Sequence, residues 1–251
     1  MYTRVKTASE ITNMRESGRI LATVLQALRD EVKEGVTTKE LSDMAMKHVK
    51  KLGGEPAFYG YQGFPEAICI SVNDEIVHGI PRTETVIKNG DIVSLDFGVN
   101  YKGMITDSAI SVICGGVAPK PVADLVKYTE QSLMEGLAVI KDGCFAGDIG
   151  FAVEKVLNKH GYGIIRDMVG HGVGHAVHED PNIPNYGRKG SGAKLVAGMT
   201  IAVEPMATLG GERISVDSDE WTIRTADGSL AAHFEHTVLI TEDGYEILTQ
   251  L

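Results

Sequence analysis

The chain has 251 residues, 43% of them hydrophobic, and sets 24 Lys and Arg against 34 Asp and Glu for a formal charge of -10. That supplies one large core or two small ones, and the acidic balance argues against nucleic acid as a partner, since binding it needs clustered Lys and Arg to displace counterions. The first 30 residues hold no signal-peptide run, and no stretch approaches the ~18 contiguous apolar residues of a membrane span, so a cytoplasmic protein without a membrane association is expected.

In chain order, the first predicted element is a helix through Met14, Gly18, Leu21 and Leu25. A second follows a Thr37/Glu40 capping box, with Leu41, Met44, Ala45, His48, Val49 and Leu52 spaced along one helix face. The segment VSLDFGVNYKGMITDSAIS, Val93 to Ser111, then reads as strand, turn and strand, apolar except for Asp96 and Asp107, with Asn100 to Gly103 as the loop. A loop centred between Tyr101 and Lys102 predicts the two carboxylates directly opposite each other, with Cβ atoms about 5 Å apart. Like charges so placed destabilise a sheet, so a cation or a shared proton is required between them.

The second half repeats the first. Lys33, Gly35 and Gly53 recur as Lys141, Gly143 and Gly161, a constant offset of 108 residues, and Ile149, Ala152, Val153, Val156, Leu157 and His160 rewrite the second helix face. A helix through Val122, Val126, Thr129 and Leu133 precedes it, matching the first. At the same offset NGDIVSLD, ending at Asp96, matches AGMTIAVE, ending at Glu204; DSAISVI from Asp107 resembles EHTVLIT from Glu235 after an insertion of 20 residues around Trp221. Each half therefore reads as two helices followed by a hairpin with a carboxylate pair, and a pseudo-two-fold packing would bring four carboxylates together.

Four buried carboxylates do not all ionise without cations. Two divalent ions would balance them, and an oxygen-rich set joined by imidazole suits Mn, Fe, Co or Zn. The glycine-rich MVGHGVGHAVHEDP offers His171, His175 and His178, and His78 lies in DEIVHGIP. Of these, His171 and His178 are read as a ligand and an outer partner, His175 as a loop histidine with a backbone hydrogen bond, and His48 and His160 as helix-face residues. Taken singly, Asp96 would be a surface polar residue and Glu235 an edge charge; the repeated pair is what favours a metal. Cys69, Cys114 and Cys144 are odd in number and lack a CxxC spacing, so they are read as packed thiols.

At SLDFGVNYKGMITDSA, ICISVNDEIVHGIP, VGHGVGHAVHEDP, TIAVEPM and AHFEHTVLIT, the chain resembles the type I methionine aminopeptidases over essentially its whole length. The resemblance implies an α+β pita-bread fold with internal pseudo-two-fold symmetry and antiparallel sheets covered by helices. It further implies a single catalytic domain over residues 1–251, with halves about 1–115 and 116–251. It implies metal ligands Asp96, Asp107, His171, Glu204 and Glu235 for two divalent ions, catalytic roles for His78, His178 and Glu204, and a methionine pocket walled by Phe58, Tyr61, Phe64, Cys69 and Trp221. The implied activity is removal of the initiator methionine from nascent polypeptides, by a monomer in the cytoplasm, with a small second residue favoured. Transient ribosome contact belongs to that picture, although Asp217, Asp219 and Glu220 beside Arg213 and Arg224 leave no basic patch evident. Phe58, where relatives often carry cysteine, and Val177, where a bulkier aromatic residue is frequent, depart from the pattern. No N-terminal extension is expected. The competing expectations are a proline-specific aminopeptidase or dipeptidase of the same fold, which usually has a large extra N-terminal domain, and a noncatalytic peptide-binding relative, which would be expected to lack some ligands.

Overall fold

The computed structural model describes residues 5–251; the first four residues of the expected domain lie outside them. Helix α1 (Ala8–Glu31) begins at a capping box with no counterpart among the sequence expectations: Glu10 N donates to the Thr7 side chain, and the Glu10 carboxylate accepts from Thr7 N at 2.8 Å. Helix α2 (Thr38–Lys51) begins at the expected Thr37/Glu40 box. Its Leu41, Ala45 and Val49 are buried, and together with Leu21, Val24 and Leu25 of α1 they pack against Val93, Leu95, Phe97 and Val99. Short strands β1 (Glu55–Pro56), β2 (Cys69–Val72) and β3 (Glu75–Val77) lead to the hairpin of β4 (Ile92–Tyr101) and β5 (Met104–Ile113).

The hairpin register differs from the expected one. Its turn consists of Lys102 and Gly103 alone, with φ of +49° and +82°, the left-handed pair that a tight two-residue hairpin needs. Asp96 therefore faces Ala109, and Asp107 faces Gly98. The turn centre lies one residue further along than the polar run Asn100 to Gly103 suggested, which moves the register by two. An even shift preserves faces. The aspartates stay on one side of the sheet, but as diagonal neighbours, roughly 7–8 Å apart, instead of directly opposed.

The second half opens with α3 (Lys120–Leu137) and α4 (Ala146–His160). Phe145 stands where Thr37 stands in the first half, so the hydroxyl cap is missing, but Asp148 still accepts from Phe145 N at 2.9 Å. Strands β6 (Gly163–Ile164), β7 (Gly170–Gly172), β8 (Glu179–Ile183), β9 (Thr200–Val203) and β10 (Met206–Thr208) follow, then β11 (Ile214–Val216), β12 (Ile223–Thr225), β13 (Ala231–His233), β14 (Glu235–Ile240) and β15 (Tyr245–Ile247). The β11–β12 hairpin, with Trp221 in its loop, pairs with β3 and lies between β9 and β14, the region of the expected insertion.

The main sheet has nine strands in the order β1-β4-β5-β14-β9-β7-β8, with β2 also on β4 and β15 on β14; its pairings are antiparallel. Backbone contacts recur at the same offset as the sequence. Gly35 N donates to Ile87 O and Gly143 N to Leu195 O, each at 2.9 Å, and the isolated bridge Thr37–Val86 reappears as Phe145–Lys194. Helices α3 and α4 pack on Ile201, Val203, Val238 and Ile240. Because successive strand residues point to opposite faces, Asp96, Asp107, Ala202 and Glu235 lie on the side away from the helices. The three cysteines are buried and free. Among the described residues, no helix is long and apolar enough to cross a membrane.

Candidate metal centre

Five strands and the residues just beyond them carry the expected ligands to one place. Asp96 comes from β4, Asp107 from β5, Glu235 from the first position of β14, His171 from the middle of β7, and Glu204 follows the last residue of β9. All five line one cavity together with His78, His178, Phe58, Tyr61, Phe64, Cys69 and Trp221. Every site residue expected from the sequence is thus brought to a single cavity. Gln62 also lines it, and Val177 sits beside His178.

The ligand atoms of Asp107, His171 and Glu235 lie within 4.8 Å of one another, and all three residues are buried. Asp96 Oδ1, Asp107 Oδ1 and Glu235 Oε1 have no hydrogen-bond partner. Buried polar atoms are normally paired; three orphaned carboxylate oxygens lining one cavity fit a cation. His171 fits the same role. Its Nδ1 lies 2.9 Å from Gly172 O, an arrangement in which Nδ1 carries the proton and donates it to the carbonyl, leaving Nε2 as a lone pair aimed at the acids, 3.4 Å from Glu204 Oε1.

Without a cation, burial pushes the acids upward. Asp107 rises to about 7 through burial, opposed by a hydrogen bond from backbone. Asp96 rises well above the carboxylate range through burial and then the charge of Asp107. Glu204 and Glu235 are raised by burial and by the other acids. Burial moves the imidazoles the other way: His171 to about 3, His78 to about 4, and His178 below its usual value. The pocket therefore presents neutral imidazoles, the form that binds a metal or donates a hydrogen bond at a carbonyl.

Around the acids the wall is aromatic. Phe64 and Trp221 meet edge to face at 5.2 Å, and Trp221 lies 6.4 Å from the His78 ring. Tyr61 Oη is 3.1 Å from His178 Nδ1, and the His178 and His171 rings are 4.3 Å apart. The Phe58 ring packs on Gly98, where a Cβ would lie 2.5 Å from Phe58 Cε1; this is the side-chain-free position facing Asp107. His78 has φ of +59°, a left-handed conformation that non-glycine residues adopt rarely and at a cost, and one that clusters at functional sites. Its neighbour Gly79 is held against β2, with Gly79 N donating to Ser71 Oγ and Gly79 O accepting from Ile70 N.

Two expectations need revision or addition. His175 is engaged by acids and not by a backbone carbonyl: its Nε2 is 2.7 Å from Glu10 Oε1, and its Nδ1 3.5 Å from Glu179 Oε1. His233, absent from the sequence expectations, is 1% exposed behind Glu204, with Nε2 3.7 Å from Glu204 Oε2. The strand alternation of His233 with Glu235 was the signal that could have found it.

A buried cluster of acids and imidazole on the open face of a twice-repeated antiparallel sheet defines a metal-dependent hydrolase class. Residues 12–242 match the model of metallopeptidase family M24, and the chain belongs to that family. It is 43% identical over 98% of both chains to the methionine aminopeptidase of Clostridium acetobutylicum. It superposes on the crystal structure of methionine aminopeptidase from Thermotoga maritima with a TM-score of 0.97, at 44% identity over 99% of this chain and 100% of the other. Within M24 the chain therefore falls among the methionine aminopeptidases. The prolidase from Pyrococcus furiosus shares the fold, with a TM-score of 0.79 at 24% identity over 98% of this chain and 65% of its own. The fold is the expected pita-bread fold.

Proposed function

We propose that this protein removes N-terminal methionine from nascent proteins and peptides, acting as one catalytic domain built from halves of about 1–115 and 116–251. The observation that carries the reading is the set of three partnerless buried carboxylate oxygens lining one cavity with His171, two of them on residues whose ligand atoms lie within 4.8 Å of one of its ring nitrogens, in a pocket walled by aromatic side chains. Asp96, Asp107, His171, Glu204 and Glu235 would hold two divalent ions, with Mn, Fe, Co and Zn all compatible with this donor set. When bound, the ions supply Lewis acidity that activates water and polarises the scissile carbonyl.

The remaining steps fall to the chain's own groups. Glu204, with one oxygen toward His171 and the other toward His233, moves a proton from the attacking water to the leaving amine. His178, its Nδ1 in contact with the Tyr61 hydroxyl, directs Nε2–H at the carbonyl oxygen and the charge that develops there. His78 donates to the departing nitrogen side. Phe58, Tyr61, Phe64, Cys69 and Trp221 receive the methionine side chain, whose thioether favours aromatic neighbours. A free α-amine would be held at the metal end of the pocket, which restricts cleavage to a chain terminus. A small residue is favoured next to the methionine. The setting is the cytoplasm and the protein a monomer. Contact with the ribosome would be transient, since Arg224 is already engaged by Asp74, Glu75 and Asp217.

The test is methionine release from Met-Ala-Ser against a Leu-Ala-Ser control, using chelated protein with and without restored Mn or Co. Metal-dependent release of methionine well above leucine is expected; no cleavage of either peptide under any metal would move the weight to a noncatalytic peptide-binding protein.

A further inference from the structure

The loop between β7 and β8 follows His171 of β7 and ends at His178, and its middle is held by charge. Glu179 Oε1 accepts from His175 N at 2.6 Å and from Ala176 N at 3.1 Å, so two successive amides converge on one oxygen. Its other oxygen accepts from Lys6 Nζ at 3.1 Å, with both side chains sealed from solvent at 0% and 1% exposure. Lys6 reaches this point past Gly174, where a Cβ would lie 2.4 Å from Lys6 Cε. Lys6 N is itself anchored on Gly198 O at 2.8 Å. From the helix side, Glu10 divides its carboxylate: one oxygen closes the Thr7 cap of α1, and the other sits 2.7 Å from His175 Nε2.

A buried ion pair adds little net stability, because removing both charges from water costs about as much as their attraction returns. Its geometry points to another role. We infer that Glu179 is a positioning residue: clasped by Lys6, while Glu10 of α1 holds the His175 ring from the other side, it fixes the backbone of residues 175 and 176 and thereby sets where His178 meets the substrate carbonyl. The inference rests on the reading of His178 as the group that donates to that carbonyl. The convergence on Oε1 makes the acceptor atom, and not the charge, the part that positions the loop. Placing a catalytic group about 1 Å off line costs about 100-fold in rate.

Two double variants separate acceptor from charge without leaving a lone buried ion. Lys6→Met with Glu179→Leu removes both; Lys6→Met with Glu179→Gln removes the charges but retains a carbonyl oxygen for the two amides. In metal-loaded full-length protein, the first is expected to lose about 10- to 100-fold in kcat, with KM for Met-Ala-Ser and calorimetric metal affinity within about threefold of wild type, while the second is the conservative rescue that retains most of kcat. Amide hydrogen exchange at residues 175 and 176 should accelerate in the first and stay protected in the second. Retention of kcat by the Leu variant, an equal loss in both variants, or a parallel loss of kcat, KM and metal affinity would each overturn the inference. The exchange measurement stands apart from the function: a wild-type protein that releases no methionine would sink the proposed activity, while unchanged exchange in the Leu variant would sink the clasp.

Discussion

At the residue scale, the acids at the pocket base set stability against chemistry. Asp96 is raised first by burial and then by the charge of Asp107, so in metal-free protein it is a source of strain. Asp96→Asn should therefore raise the melting temperature of chelated protein, by about 2–4 °C for each kcal/mol relieved. The same change should lower that of metal-loaded protein and cut methionine release by at least about 100-fold; an unchanged or lower chelated melting temperature would contradict the repulsion account. Gly98→Ala probes the wall. The new Cβ must displace the Phe58 ring, so KM for Met-Ala-Ser should rise several-fold with a smaller change in kcat, and stability should drop by about 1–3 kcal/mol. The ligating acids and the histidine-bearing glycine-rich segment were legible because acids interrupting apolar strands at a repeated offset leave a local trace. The Lys6–Glu179 pair had no such trace, and His233 had only its alternation with Glu235. Lys6 and Glu179 are 173 residues apart, and neither belongs to a periodic pattern.

At the element scale, the β4–β5 hairpin shows how a correct face can accompany a wrong register. Period-two alternation identifies which residues share a side, whereas the register depends on which two residues turn. Lys102–Gly103 takes the turn because both can be left-handed in a loop closed by Asn100 Oδ1 accepting from Gly103 N at 3.0 Å. Changes at the two turn positions should act in opposite directions. Gly103→Ala places a Cβ at φ of +82° and should cost about 1 kcal/mol, whereas Lys102→Asn creates the Asn-Gly pair favoured in such turns and should stabilise by about 0.5 kcal/mol. Thermal melts of the two variants check the signs. The helices were read more fully than the strands, since α2 repeats its apolar positions over three turns and begins at a box visible in sequence. Two- and three-residue strands such as β6 and β13 are too short to leave a pattern.

At the scale of the whole molecule, β5 and β14 meet at the middle of the main sheet, so ligands from both halves face one centre across that seam. An ion held there joins the halves, and it should stabilise the native state by about 2.7 kcal/mol at a free concentration of 100 times its dissociation constant. The pH dependence has a definite sign. An acid raised on folding, as Asp107 is to about 7, stays protonated in the native state where the unfolded chain has already ionised, so chelated protein loses stability as pH rises from about 4 toward 7. Metal binding needs those protons gone. The gap in melting temperature between loaded and chelated protein should therefore widen from about pH 5.5 to about pH 8; a constant gap would mean that the acids do not titrate with the ion. The two-fold plan was legible in the sequence because the helix pair and the strand ends recur at one offset; the crossing of the loop to α1 was not, because no repeat in the other half predicts it.

The insertion between β9 and β14 contributes the chain's only tryptophan, and Trp221 lies in the pocket wall against Phe64 and His78. All indole emission from this protein therefore originates at the site, from a fluorophore with its ring 6.4 Å from the His78 imidazole. Binding of a methionyl product, or of a cation that reorders the neighbouring groups, becomes readable in real time from the unlabelled protein. An instrument for transient kinetics is in effect already part of the chain.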